Sequence, residues 1–354
     1  MTMTPRERLT AALRREKPDK TPKALNFTKS AYKIFVEKTG IENYREYFGI
    51  ESREIMLNPT QKKADYLRYF KEPLPSGTWI DAEWGIGNVP GSQHHFTRYL
   101  HPLQDLKTIK ELEEYPFPDF TEKYRYEGIS EKVKQMQSAG LFAIGGVYDV
   151  FEPAWYLRGM ENLFEDFMAN PDFANYLLDR ITGMRCFMAE EFAKMGVDMI
   201  LLGDDVGTQR GMLMHPDMWR EWLKPRLKKI IDAGRKINKN IFVYYHSDGN
   251  VEQIIPELID VGVDVLNPVQ PECMDPIKLK NLYGDKLSFW GTIGTQTTMP
   301  FGTTQDVMNE VRLRIETVGK GGGLVLAPTH VIEPDVPTEN ILAFFEAVEK
   351  YGIG

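Results

Sequence analysis

The sequence predicts an α/β fold, a (β/α)8 barrel of TIM type, and three observations predict it. From about Leu141 onward, short apolar segments alternate with long amphipathic ones. Most of the short segments are apolar throughout rather than at every second position, which marks parallel strands covered on both faces. Almost every one of them is followed directly by polar residues. That is the pattern of a barrel whose functional groups stand on the loops after its strands.

The expected strands are Leu141–Gly145, Met199–Leu202, Ile241–Tyr245, Val263–Leu266, Leu287–Trp290 and Leu324–Ala327. Helical stretches lie between them, among them Pro216–Ile237 and Val251–Val261. Strand, helix, strand, helix implies a parallel sheet with right-handed crossovers. Pro22–Phe27 reads as a seventh strand. Glu54–Leu57 would be an eighth and would close the barrel, although the same spacing also fits an open sheet. Ahead of these, Thr4-Pro5 supplies a cap and an N1 proline for a helix running to about Arg15. Its basic face (Arg6, Arg8, Arg14, Arg15) reads as a solvated surface. Lys17-Pro18-Asp19 ends it.

Residues 72–119 depart from the repeat. They are rich in Gly, Pro and aromatics, with Trp79, Trp84, His94, His95 and Phe96. Thr78–Trp84 and Gln93–Tyr99 suit a hairpin inserted between barrel elements, punctuated by Pro116 and Pro118. Long insertions in compact domains tend to cover functional sites.

Composition narrows the function classes. A chain of 354 residues with 42% hydrophobic and 27% charged residues is ordinary globular protein. Barrels often run this long as one domain, and residues 1–354 are read as one. A formal charge of −8 disfavours nucleic acid and membrane surfaces as partners. No apolar run is long enough for a membrane span, and the first residues lack the apolar core of a signal peptide. Cys186 and Cys273 stand apart in sequence, which fits a reducing cytoplasm. No nucleophile elbow, phosphate loop or dinucleotide fingerprint is present.

The strand ends carry the candidate chemistry. Tyr148 and Glu152 come after the Leu141 strand. Asp204 and Asp205 come after Leu202. His246 and Asp248 come after Tyr245. Asn267 and Gln270 come after Leu266, Gln296 after the Leu287 strand, and His330 after the last one. Asp and Ser at such places also serve as helix caps. Six sets converging on one mouth ask for more than capping. Asp204, Asp205, Glu152 and Tyr148 are the candidate catalytic groups. Asn267, Gln270 and Gln296 are candidate substrate contacts, joined by Arg158, whose guanidinium suits a carboxylate. His246 and Asp248 are two apart in extended chain and so point the same way. With His330 they make two imidazoles and a carboxylate, a donor set for zinc or iron with open positions. The plainer reading is that both histidines bond to a polar substrate or to each other.

Several stretches resemble the uroporphyrinogen decarboxylase superfamily. They are TPRERLTAALRREKPDKTP (4–22), GDDVGTQRG (203–211), HSDGNV (246–251), LNPVQPE (266–272), WGTIGTQTTMPFGT (290–303) and LAPTHVIEPDVPTENI (326–341). The resemblance spans nearly all the chain outside 72–119. It implies the barrel, and it implies either porphyrinogen decarboxylation or cobamide-dependent methyl transfer. The decarboxylases carry an Arg-Gln-Ala-Gly-Arg block where this chain has Ala24-Leu25-Asn26-Phe27-Thr28-Lys29. Where they carry Ser-Asp-Ile it has Ser52-Arg53-Glu54-Ile55. The methyltransferase branch holds zinc with His-x-Cys and a later cysteine. His246 matches that histidine, Asp248 stands at the first cysteine, and His330 stands at the second.

The resemblance therefore implies a divalent metal, zinc before iron, at His246, Asp248 and His330. It implies methyl transfer from a small methylated substrate, a methyl ether or methylamine. No cobamide-binding motif is present, so the corrinoid would sit on a partner protein. A homodimer is also compatible with the superfamily. The alternatives are decarboxylation of a porphyrinogen or smaller acid, with His330 or the Asp204-Asp205 pair as acid, and a barrel that only binds a ligand.

Overall fold

The computed structural model describes residues 2–71, 73–91 and 97–353. The strands in chain order are β1 (Ser52–Ile55), β2 (Trp79–Ile80), β3 (Gly87–Pro90), β4 (Thr97–Leu100), β5 (Phe142–Asp149), β6 (Met199–Gly203), β7 (Phe242–His246), β8 (Val265–Asn267), β9 (Ser288–Ile293) and β10 (Leu324–Pro328). Seven of them form one parallel sheet in the order β1-β5-β6-β7-β8-β9-β10, with helices between successive strands. Strictly consecutive order is what right-handed βα units produce when they wind one way round a barrel.

The eighth stave is the segment expected as a strand at Pro22–Phe27. It makes two isolated parallel bridges, Lys23 to Leu326 and Phe27 to Ile332, in place of a continuous ladder. Pro22 explains part of this, since it has no N–H to give. Towards β1 a side chain makes the join. The Glu51 carboxylate accepts the Lys23 N–H at 3.0 Å and faces the Arg8 guanidinium at 3.4 Å. The strand expected at Glu54–Leu57 lies two residues earlier, because its ladder starts with Ser52 opposite Phe142.

Period two divides the apolar strands cleanly. Phe142, Ile144, Met199, Leu201, Phe242, Tyr244, Val265, Trp290, Val325 and Ala327 fill the barrel interior. The alternate set, including Ala143, Ile200, Leu202, Val243, Tyr245, Leu266, Phe289 and Leu326, packs under the outer helices. Both parities are buried, so the strands read as continuous apolar runs. Leu9 and Leu13 of the first helix, Pro5–Leu13, join the interior cluster, so this helix contributes to the barrel core.

Three helical expectations shorten. Pro216–Ile237 is two helices, Pro216–Trp222 and Lys224–Ile237, because Pro225 cannot continue the hydrogen-bond ladder. Val251–Val261 begins as a 3-10 turn before Ile255–Val261. The first helix stops at Leu13, and Arg15 takes φ 62°. In the insertion, β2, β3 and β4 form a three-stranded antiparallel sheet in place of a single hairpin. Gln93, His94, His95 and Phe96 lie outside the described residues.

Candidate functional site

The inward parity that fills the barrel continues upward into polar residues. Register places Gly203 beside His246 and His246 beside Asn267. These stand above Leu201, Tyr244 and Val265 on the same strand faces. Gly203 is required there. A Cβ on it would lie 2.8 Å from the His246 Cβ and 2.7 Å from the His246 carbonyl, closer than atoms tolerate.

Asp149 extends this row on the other side, opposite Gly203. It arrives there through a bulge. The β5 register shifts between Gly146 and Tyr148, so one extra residue reverses the parity of Tyr148 and Asp149. Tyr148 takes φ 67° at the bulge, and its hydroxyl donates to Glu54. Sequence reasoning missed Asp149 because it ended the strand at Gly145. The signal that would have found it is the GGVYD run, where polar residues come after two glycines inside an apolar segment.

The His246 ring is held in one orientation. Its Nδ1 lies 2.6 Å from the Asn267 Oδ1. The Asn267 amide is itself oriented, because its Nδ2 donates to the Trp290 carbonyl at 2.9 Å. An amide oxygen only accepts, so Nδ1 carries a proton, and in the neutral ring it is Nε2 that presents the lone pair. That lone pair faces the Asp205 Oδ1 at 3.6 Å and the Asp248 Oδ1 at 3.9 Å. Ligand atoms of Asp205, His246 and Asp248 all lie within 4.8 Å of one another, close enough for one ion. The His330 Nε2 stands 4.0 Å from the other Asp248 oxygen.

The loops are pinned to each other. The Asp248 N–H donates to the Asp205 Oδ1 at 2.8 Å, and the Val206 N–H donates to the Ser247 Oγ at 3.1 Å. Gly249 takes φ 78°, where a Cβ would come within 2.6 Å of the Gly207 backbone. Its N–H donates to the Gln270 Oε1 at 2.6 Å. Gln270 thus tethers the Asp248 loop. One atom is left over: the Asp248 Oδ1 is buried and has no hydrogen-bond partner among the described residues. A buried carboxylate oxygen without a donor is costly, and a cation between it and the His246 Nε2 would satisfy it. The residues present therefore fit a divalent metal.

The electrostatics favour positive charge at the His246 Nε2, from a proton or from a cation in its place. Burial disfavours a charged His246, but Asp248 and Asp205 outweigh it and raise its pKa. Burial raises the Asp248 pKa, against the pull of His246. Glu152 heads the helix Phe151–Arg158 and accepts the Tyr156 hydroxyl at 3.0 Å. Burial pushes it up to about 10, with Asp149 and Asp205 adding to the rise. Burial and the neighbouring carboxylates thus favour the protonated form of Glu152.

Not every expected residue joins this group. The Asp204 Oδ1 takes the N–H groups of Val150, Phe151 and Glu152 at 3.0, 2.6 and 3.1 Å. It caps the helix that carries Glu152, as a carboxylate does at a positive helix end. Arg158 is buried away from the cluster, with Nε on Asp166 at 2.7 Å and Nη1 on the Leu103 and Leu106 carbonyls. Its donors are already committed. The Gln296 side chain is exposed, and its backbone N–H donates to Glu272 at 3.1 Å. Asn267 orients His246 where a substrate contact was expected.

Residues 87–351 match the family model for uroporphyrinogen decarboxylase. The chain belongs to the uroporphyrinogen decarboxylase family. A methylcobamide:CoM methyltransferase of Methanosarcina barkeri is 26% identical over 236 residues, 66% of each chain. The match thus spans just under two thirds of that relative's length. A uroporphyrinogen decarboxylase of Legionella pneumophila is 24% identical over 307 residues, covering 84% of this chain and 82% of the relative. Among solved structures, a methyltransferase from Methanosarcina mazei superposes with a TM-score of 0.68 at 21% identity over 99% of both chains. That likeness supports the family's barrel fold. No described helix is long and apolar enough to cross a membrane.

Proposed function

We propose that this chain is a metal-assisted methyltransferase that moves a methyl group from a small methylated substrate, a methyl ether or methylamine, to a corrinoid on a separate protein. The observation that carries the reading is the His246 Nε2 lone pair facing two carboxylates, one with a buried oxygen that lacks a donor. The methyltransferase among the relatives supports the reaction class.

His246, Asp205 and Asp248 would hold zinc, with iron as the second choice, and His330 stands next to them. A bound ion of this kind supplies Lewis acidity, drawing electron density from the methylated heteroatom. Imidazole and carboxylate donors suit an oxygen or nitrogen leaving group. Asn267 fixes the His246 tautomer, as outer partners of metal-binding histidines do. Asp204 holds the helix start that places Glu152. Glu152 is favoured in its protonated form and lies in the field of Asp205. The heteroatom keeps the bonding pair when the methyl group departs and takes the Glu152 proton. Tyr148, tied to Glu54, lines the approach.

Elemental analysis of purified protein tests the metal, and methyl transfer to a corrinoid protein tests the reaction. About one zinc or iron per chain is expected, falling roughly tenfold or more in His246→Ala and Asp248→Ala. Metal-free protein that stays so after incubation with zinc would remove the basis of the proposal.

A further inference from the structure

Six arginines are buried among the described residues: Arg8, Arg125, Arg158, Arg185, Arg226 and Arg314. Five have a carboxylate partner. Arg8 reaches Asp19 at 2.7 Å, Arg125 reaches Glu83 at 2.8 Å, and Arg158 reaches Asp166 at 2.7 Å. Arg226 reaches Asp179 at 2.8 Å and Arg314 reaches Glu310 at 2.9 Å. Buried charges are normally paired in this way, since an unpaired one costs several kcal/mol on the order of its desolvation. Arg185 is the exception. It is 5% exposed, and among the described residues no carboxylate comes within ion-pair distance of it. Its Nε donates to the Asp149 carbonyl at 2.8 Å, and its Nη1 has only the Met188 sulfur at 3.4 Å. The two-nitrogen fork has no oxygen to bind.

That fork belongs to the wall of a cavity. A space of ≈ 470 Å³ lies between the inserted sheet and the Asp149 side of the barrel mouth. Trp84, Phe120, Tyr148 and Tyr156 line it with Leu57 and Met188. The Arg185 guanidinium sits 5.4 Å from the Trp84 ring centre and 5.7 Å from that of Phe120. The other cation there, Arg125, is spent on both Glu83 oxygens at 2.8 Å each. Through Asp149 the cavity borders the strand row that carries the proposed metal site. Asp149 lines it and pairs in register with Gly203, whose partner on the other side is His246. The volume is that of a small-ligand site, with aromatic walls and one fixed charge.

We infer that this cavity binds a flat, largely apolar methylated acid, such as an aromatic acid bearing a methyl ether or methylamino group, with its carboxylate in the fork of Arg185 and its methylated end towards Asp205, His246 and Asp248. The assignment of the methylated end rests on the proposed function; the acid-binding fork does not. A planar guanidinium matches a carboxylate with two parallel hydrogen bonds, and the rings of Trp84 and Phe120 offer faces to an aromatic body. The bound anion would supply the partner that the other five arginines already have.

The test is calorimetric titration of the protein, metal-free and zinc-loaded, with benzoate, 4-methoxybenzoate and methoxybenzene. Both acids are expected to bind, and methoxybenzene roughly tenfold or more weaker, the worth of hydrogen bonds to a charged group. Arg185→Gln should lower the affinity for both acids by about the same factor and leave methoxybenzene unchanged. Equal binding of acid and neutral ether by the natural protein, or unaltered acid binding in Arg185→Gln, would overturn the inference. If Arg185→Gln does not fold, the acid-to-ether ratio in the natural protein still decides. Acid binding without metal uptake or methyl transfer would leave the cavity assignment standing and remove the proposed function. Methyl transfer from neutral ethers with no preference for acids would do the reverse.

Discussion

The lower and upper halves of the barrel interior are built on the same strand faces and obey opposite rules. Below, Phe142, Met199, Tyr244 and Val265 are sealed from water and interlock, with Leu9 and Leu13 packed against them. One step higher on the same parity stand Gly203, His246 and Asn267, with Asp149 brought into line by a bulge. The lower half gains stability from burial alone. Among the described residues, the upper half keeps a carboxylate oxygen without a donor, and at its rim a buried guanidinium has no carboxylate at ion-pair distance. Such groups cost stability in an empty protein and gain it back when their partner arrives, so the two halves should respond differently to mutation and to ligand.

The largest effect is expected in the lower half. Phe142 is fully buried in the barrel interior. Phe142→Ala should cost about 3–5 kcal/mol, from lost burial and the cavity left behind. Urea unfolding measures it, and metal content per folded chain should not change. Loss of metal from folded Phe142→Ala would mean that the halves are coupled.

Next comes Gly203→Ala, which strikes the boundary. The added methyl meets the His246 backbone and Cβ, neither of which is a flexible end. A cost of about 1–3 kcal/mol is expected from overpacking. Unlike Phe142→Ala, this change should also lower metal content, because relief of the clash moves His246. Asn267→Ala should do the complementary thing. It leaves the donor atoms in place and frees the His246 ring and tautomer. Metal affinity should fall about ten- to a hundredfold, with a smaller effect on unfolding. A competition titration against a chelator reads this, and unchanged affinity would remove Asn267 from the site.

The lower half was legible in the sequence and the upper half only partly so. Continuous apolar runs such as Ile241–Tyr245 announced parallel strands, and strand ends offered His246, Asp248 and His330 as candidates. Three things were hidden. Asp205 differs from Asp204 only by one position, yet Asp204 caps a helix and Asp205 faces His246. Spacing cannot tell them apart, because the turn after β6 decides which carboxylate points inward. Asp149 depends on a bulge, which shifts parity without leaving a pattern in hydrophobicity. Arg158 and Arg185 are both buried arginines, and only the fold shows that Asp166 answers one while no described carboxylate answers the other.

The pH dependence of stability separates the halves most directly, because the apolar cluster below carries no carboxyl group. Glu152 has its pKa raised from 4.5 to about 10 in the folded chain, chiefly by burial. In the unfolded chain it ionises near its ordinary value. Between these limits the folded protein holds a proton that the unfolded protein has released. Its contribution is therefore fully present below about pH 4.5 and is lost as pH rises towards 10. Glu152→Gln keeps a neutral side chain of the same shape and removes the titration. Chemical unfolding at pH 6, 7.5 and 9 should show the natural protein weakening relative to Glu152→Gln as pH rises. Parallel curves would mean that Glu152 is already ionised in the fold, and the proton it is proposed to give to the departing heteroatom would have to come from elsewhere.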